Sequence, residues 1–146
     1  MQGLNALPEI EAIHAMQNLN QGTRNGVFLF TFLFTPIITL GCAALLYVRG
    51  KQVAALFLLA AAAVYFLGSF LPTVNVNVPM NHELEALDAL SLSPDEATPI
   101  WDAYSTGWYF WNTTRAVMAI VALGLAGTAM HMLQRGTVFS GEAQPA

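Results

Sequence analysis

A run of residues without any charge, from Val27 to Val48, restricts the fold of this chain more than any other feature. As a helix it would extend for about 33 Å, which is enough to cross the hydrocarbon core of a bilayer. Asn25 and Gly26 separate it from the polar residues before it. Pro36, near its middle, should kink the helix, with neighbouring helices covering the carbonyl group left free. We therefore predict a transmembrane helix over 26–48.

Two further apolar runs predict transmembrane helices over 53–71 and 108–133. Arg49 and Lys51 mark a short basic turn, so the first two spans should form an antiparallel hairpin. The composition agrees, because 10% of the residues are charged, whereas soluble domains contain about 25%. The sequence thus predicts an all-α integral membrane protein, an up-down antiparallel helix bundle that forms one domain over 1–135. Residues 136–146 are expected to form a flexible tail.

Residues 1–22 are predicted to form an amphipathic helix that lies in the membrane interface or packs on one end of the bundle. Pro8 is followed by Glu9 and Glu11, which is typical of a first helical turn. Polar side chains then recur on one face, with apolar ones interspersed. The segment lacks the basic start and apolar core of a secretory signal peptide. It is also too short and too polar to span a bilayer.

Residues 73–107, between the second and third spans, are predicted to be an outer loop that leads into the aromatic start of the third helix. The first part of this loop, 73–81, is rich in asparagine and valine. Pro79 should hold Val78 in an extended conformation, because proline disfavours helical geometry in the residue before it. A short helix is expected to follow, with Asn81 as its N-cap.

The start of the third span carries polar residues beside an apolar run. Trp108, Asn112 and Arg115 share one helical face, since steps of three, four and seven residues return to the same side. Polar groups at the end of a membrane helix are costly and are often functional. We expect the outer loop to fold over this face and to bring Asn81 next to Arg115. If the chain has a site, we expect it here.

Each of these residues also has a structural interpretation. Arg115 could extend to the interface or pair with an acidic side chain of the loop. The asparagines could satisfy backbone groups of an irregular loop, and the tryptophans could anchor the helix at the interface. Thr31, Thr35 and Thr39 form a further stripe, which we interpret as a packing face.

Several kinds of site are excluded by the residue types present. The three histidines are spread along the chain without the spacing of a zinc or iron site, so no metal is expected. Cys42 is the only cysteine, which excludes an internal disulfide. A net charge of −4, with five lysine and arginine residues in all, argues against nucleic acid as a partner.

The basic residues predict the orientation in the membrane. The turn with Arg49 and Lys51 and the end with Arg135 should lie on the same side, and the positive-inside bias makes that side cytoplasmic. The amino terminus and the 73–107 loop are then outside and the carboxyl terminus is inside. We expect a multi-pass protein of the cell (inner) membrane, with the lipid bilayer as its surroundings.

Three motifs resemble those of a known family. They are Met16-Gln17-Asn18-Leu19-Asn20, Asn77-Val78-Pro79-Met80-Asn81, and the series Trp101, Tyr104, Trp108, Trp111, Asn112 and Arg115. Together they resemble the motifs of the anthrone oxygenase-like family of small four-helix membrane proteins, over most of the chain from Met1 to Leu133. The resemblance implies an oxygenase that converts lipophilic anthrones to quinones without a metal or flavin cofactor.

The resemblance also implies roles for individual residues. An apolar slot, a base and donors for a developing oxyanion are needed for such a reaction. His82 and His14 are the candidate catalytic bases, although His82 could be a solvated or capping residue and His14 part of a polar stripe. The candidate substrate-binding residues are Asn77, Asn81, Trp108, Trp111, Asn112 and Arg115.

One departure from the family pattern predicts an open side of the bundle. Family members normally carry another apolar helix before the Met16–Asn20 motif, and this chain begins about where that helix would end. An upstream helix, a second copy of the chain or a different subunit is expected to cover the open side. A non-catalytic membrane subunit packed against a larger assembly is therefore the alternative function. A transporter ranks last, because discontinuous helices and an internal repeat are lacking.

Overall fold

The computed structural model describes residues 1–138, and this part of the chain contains helices and turns but no strand. We number its four main helices α1 to α4. They are α1, Glu9–Thr23; α2, Gly26–Val48; α3, Gln52–Glu85; and α4, Pro94–Val138. Short 3-10 turns occupy Leu4–Ala6 and Ala89–Ser91. The all-helical prediction is confirmed, and α2, α3 and Pro94–Gln134 of α4 are long and apolar enough to cross a membrane. The up-down order of the bundle stays a prediction.

Helix α2 has the bounds that its apolar run predicts. The side chain of Asn25 accepts a hydrogen bond of 2.9 Å from the backbone N–H of Phe28, which caps the first turn. After the last turn, Gly50 has a φ of 74°, a left-handed conformation that glycine adopts without steric cost. Pro36 is buried inside the helix. The threonines of the stripe donate to carbonyl groups of their own helix.

Helix α3 corrects the prediction of a span over 53–71 followed by an extended loop. The chain remains helical to Glu85, and Val78 has φ −65° and ψ −49°, so the extended conformation predicted for 73–81 is wrong. Asn81 consequently lies inside a helix and is not an N-cap. The connection to α4 is the short segment 86–93, whereas the prediction placed an outer loop at 73–107.

Two π-helical segments, Phe66–Phe70 and Thr73–Asn77, explain how α3 continues past its prolines. Their wider turns bond each N–H to the carbonyl five residues back, as from Val78 to Thr73, and this register tolerates the irregularity that proline introduces. Side chains supply additional donors. The Thr73 hydroxyl bonds the carbonyl of Ser69 at 2.6 Å, and the Asn75 amide bonds that of Leu71 at 2.9 Å.

Helix α4 begins earlier than the span predicted over 108–133. The Glu96 carboxylate reaches back to the start of the helix, where the Ser93 backbone N–H and hydroxyl donate to it at 2.9 and 2.6 Å, as in one half of a capping box. Pro99 falls within the early turns of the helix. The backbone is helical through Val138, the flexible tail over 136–146 stays a prediction, and 139–146 lie outside the described part.

The long helices pack side by side with α3 in the middle. Helix α3 contacts α2 and α4, whereas α2 and α4 barely touch within the described residues. Helix α1 lies across one end of this layer and contacts α4 and the last turns of α3. Its Ala12, Ile13 and Met16 enter a buried cluster with residues that include Trp101 and Tyr104. Burying one such isoleucine contributes about 1.5–3 kcal/mol, so α1 is a firmly packed element.

Candidate functional site

A cavity of about 620 Å³ lies beneath α1, at the end of the three long helices. Its volume falls in the range of about 300–1,000 Å³ that is common for small-molecule sites. All four main helices contribute to its lining. The predicted site residues that line it are Asn77, Asn81, His82, Trp108, Asn112 and Arg115. The structure thus brings residues of α3 and α4 together around one space.

Two helices present the polar residues to the cavity. On α4, Trp108, Asn112 and Arg115 follow one another at intervals of four and three residues, which places them on a single helical face. On α3, Asn77 ends the second π-helical segment and is 2% exposed. Asn81 lies one turn further along the same helix and also lines the cavity. Helical spacing therefore places these five residues of α3 and α4 along one part of the lining, which we call the floor.

Three residues of the cavity lining have polar side-chain atoms without partners. Within the described chain, both side-chain polar atoms of Asn77, Nδ2 of Asn20 and Nε of Arg115 are buried and make no hydrogen bond. Leaving such a group unpaired costs about 1–3 kcal/mol, and native structures rarely do so without water, an ion or a ligand. Three of these atoms are donors. These residues line the cavity, so a ligand that carries acceptor oxygens matches the type of group that lacks a partner there.

Asn81 differs from Asn77 because it has a protein partner. The Tyr104 hydroxyl donates a hydrogen bond of 2.8 Å to Oδ1 of Asn81. Tyr104 itself is buried in the cluster under α1, where its ring stacks on Trp101 with centroids 5.9 Å apart. Since the carbonyl oxygen of the Asn81 amide is occupied by a fixed tyrosine, the Nδ2 group is the donor left for the cavity.

Charged residues gather at one edge of the cavity, which we call the charged edge. Arg24, between α1 and α2, forms an ion pair with Glu85 at the end of α3. Nδ1 of His82 lies 3.9 Å from the other carboxylate oxygen of Glu85. Glu85, an acidic residue of the predicted outer loop, therefore pairs with Arg24.

Two of the predicted site residues do not line the cavity. The Trp111 ring packs edge-on against Phe110, with centroids 5.3 Å apart. His14 lies on the exposed side of α1, where its Nε2 is 3.5 Å from the Asn18 amide nitrogen. Among the described residues, no group of three histidine, cysteine or acidic side chains is arranged to hold a metal ion.

The structure also adds residues that the sequence patterns did not single out as site residues. Asn20 and Thr73 are buried polar residues on the lining, and Phe28 and Phe32 of α2 add apolar surface. Asn20 ends the Met16–Asn20 motif, which was the available signal. No comparable signal marks Phe28 or Phe32, because aromatic residues are spread over much of α2.

The family model described as anthrone oxygenase matches residues 27–125. The chain belongs to the anthrone oxygenase family. The match covers α2, α3 and most of α4, so the cavity residues of these helices lie in the family's own region, whereas Asn20 of α1 lies before it. No curated protein and no solved structure matches the chain.

Proposed function

We propose that this member of the anthrone oxygenase family is an integral membrane enzyme that oxidises a lipophilic, anthrone-type aromatic to a quinone in the cavity. The observation that carries the proposal is the pairing of apolar walls with buried, partnerless polar atoms of Asn77 and Arg115, within the region that matches the family. A planar ketone satisfies both parts, because its rings suit the walls and its oxygen suits the floor.

The reaction needs only dioxygen as a second substrate. Removal of a proton from the methylene carbon opposite the carbonyl group converts an anthrone to an anion with its charge on oxygen. Dioxygen then adds at that carbon, the second C–H bond is lost, and one oxygen atom becomes the new carbonyl while the other leaves as water. Donors aimed at the anionic oxygen lower the barrier to its formation. Arg115, Asn77 and Asn112 are the groups that we assign to this role.

His82 is the better candidate for the base. It lines the cavity at the charged edge, whereas His14 lies on the exposed side of α1. A general base must come within hydrogen-bond reach of the proton that it removes, directly or through one water molecule. Trp108, Phe28 and Phe32 supply the aromatic surface for the rings. We assign Trp111 no contact with the substrate.

Oxygen consumption by the purified protein in lipid vesicles, with anthrone as the substrate, tests this function. We expect consumption above that of protein-free vesicles. Arg115→Lys should lower turnover by about tenfold or more, because lysine keeps the charge but loses the fixed fork of donors. Arg49→Lys, in the turn outside the cavity, is the matched control. Consumption that does not depend on protein, or equal rates for the two variants, would contradict the proposal.

We further propose that the cavity lies at the outer face of the cell membrane. The short connection 86–93, α1 and the amino terminus are then outside, and the basic turn with Arg49 and Lys51 is cytoplasmic. This retains the orientation expected from the sequence, although the outer connection is shorter than the 73–107 loop.

A non-catalytic role as a subunit of a larger membrane assembly is the second candidate. It is favoured by α2, which packs on α3 alone among the long helices and leaves Phe30, Ile37 and Ile38 exposed. A photoreactive residue in place of Ile37 tests it in native membranes. A single protein adduct of defined mass would support a subunit or a second copy of the chain, and adducts to lipid alone would count against both.

A further inference from the structure

Helices α2 and α3 separate towards the cavity. They pack together beside the Gly50 turn, and the last ring contacts between them place Phe32 against Tyr65 and Phe70, with centroids 6.3 and 5.1 Å apart. Beyond this point, the described contacts between α2 and the Thr73–Glu85 part of α3 are few. The two helices therefore leave a gap where they border the cavity.

The side chains along this gap are apolar and exposed. Leu29 and Leu33 of α2 are each 45% exposed, Val74 of α3 is 45% exposed, and all three line the cavity. They belong to helices that are apolar and long enough to cross a membrane. Exposing such side chains to water costs about 25 cal/mol per Å², and lipid chains remove this cost. We call these residues the lipid edge.

The charged edge, in contrast, is polar and is bridged by contacts between helices. The Arg24–Glu85 ion pair joins the start of α2 to the end of α3. The Gln17 side chain on α1 donates to the carbonyl groups of Leu84 and Leu87, at 2.8 and 3.0 Å, and so ties α1 over the end of α3. A molecule arriving from water meets these charged and hydrogen-bonded groups, whereas one arriving from lipid displaces only acyl chains.

We propose that the cavity of this protein opens to the lipid phase, and that its ligand enters sideways between α2 and α3 past the lipid edge. This rests on the proposed function only in taking the ligand to be lipophilic. The polar floor then receives the oxygen-bearing end of a molecule whose apolar body trails towards the bilayer. Substrate concentration in the membrane, and not in water, sets the occupancy of the site.

Quenching of Trp108 fluorescence tests the open side without reference to catalysis. The Trp111→Phe variant removes one of the other two tryptophans, and the remaining one, Trp101, is only 3% exposed. Quenching in this variant therefore reports access to Trp108 on the cavity wall. We expect phosphatidylcholine brominated near the headgroup end of its chains to quench Trp108 strongly, and acrylamide in the water to quench it weakly. Arg24→Gln should increase quenching by acrylamide only.

Matched substitutions on α2 locate the entrance. Replacing Leu29 and Leu33 with phenylalanine narrows the gap and should lower quenching by brominated lipid about twofold, since this quenching needs near contact. Leu40→Phe is the control, because Leu40 is 46% exposed on the same helical face but does not line the cavity. Equal effects of the two changes would overturn a lateral entrance.

A pair of probes completes the test. Anthraquinone dissolved in the vesicles should quench Trp108, whereas anthraquinone sulfonate, added to the water, should not. The reverse result, or strong quenching by acrylamide with none by brominated lipid, would show that the cavity opens to water or that another helix covers the gap. Either outcome overturns the lateral entrance and leaves the proposed oxygenase activity to be judged by oxygen consumption.

Discussion

At the scale of single residues, two asparagines of the cavity floor differ in whether the protein itself satisfies their side chains. Asn77 and Asn81 are one helical turn apart on α3 and line the same cavity. Asn81 accepts a hydrogen bond from Tyr104, whereas both polar atoms of Asn77 are buried without a partner in the described chain. A buried polar group that has a hydrogen-bond partner inside the protein supports stability, whereas an unpaired buried polar group lowers stability.

Leucine at each of these positions should therefore have opposite effects on stability. Asn77→Leu keeps the volume and removes an unpaired amide, so the free energy of unfolding should rise by about 1 kcal/mol. Asn81→Leu removes the acceptor of the Tyr104 hydroxyl and should lower the free energy of unfolding by about the same amount. Thermal unfolding in one detergent measures both variants, and anthraquinone binding should fall for Asn77→Leu. Equal destabilisation by the two changes would show that Asn77 has a structural role.

At the scale of helices, the crossing of α3 over α4 depends on Gly68. A Cβ atom added at Gly68 would meet Cγ of Met118 and lie 2.7 Å from its Cβ, which is too short for any side-chain contact. The Cβ atom of Met118 is bonded directly to the α4 backbone and cannot rotate away. Gly68 therefore permits the close approach that holds the Asn77 segment beside α4.

Gly68→Ala should consequently destabilise the protein by about 1–3 kcal/mol, the usual range for overpacking a tight contact. Gly127→Ala on α4 is the control, because a Cβ there meets no atom within 4 Å. The control should be neutral or slightly stabilising, since alanine favours helix by up to about 1 kcal/mol. Unfolding by heat in detergent measures both. A smaller loss for Gly68→Ala than for Gly127→Ala would show that the helices do not meet as described.

The helices also show what local sequence can predict. The bounds of α2 follow from the lack of charge and from Asn25 and Gly50, whose effects are local. The spacing of Trp108, Asn112 and Arg115 predicted a shared face for the same reason. The prediction for 73–81 is wrong, because alternating valine and asparagine around prolines is typical of an extended chain. The helical form of this segment depends on its π-helical register and on packing against α4, which local sequence does not reveal. Asn20 could not be placed because the docking of α1 is a long-range contact.

At the scale of the whole molecule, α3 is longer than a membrane crossing requires, and its last turns carry cavity residues. Its 34 residues extend about 50 Å, which exceeds the roughly 30 Å hydrocarbon core. Lys51 precedes this helix, and Asp95 follows it near the cavity end. If α3 crosses the membrane, these two residues lie on opposite sides. The positive-inside bias then predicts that the basic Lys51 end is cytoplasmic.

Single cysteines at these two positions test the crossing in a Cys42→Ala background. Lys51 is a better labelling position than the neighbouring Gly50, because the φ of 74° at Gly50 disfavours any other residue. A membrane-impermeant maleimide should label Asp95→Cys in intact cells and Lys51→Cys only in inverted vesicles, since each exposed residue meets water on one side. Labelling after detergent is the control for reactivity. If both cysteines react from the same side, α3 does not cross the membrane, and a lipid-facing cavity at its outer end is impossible.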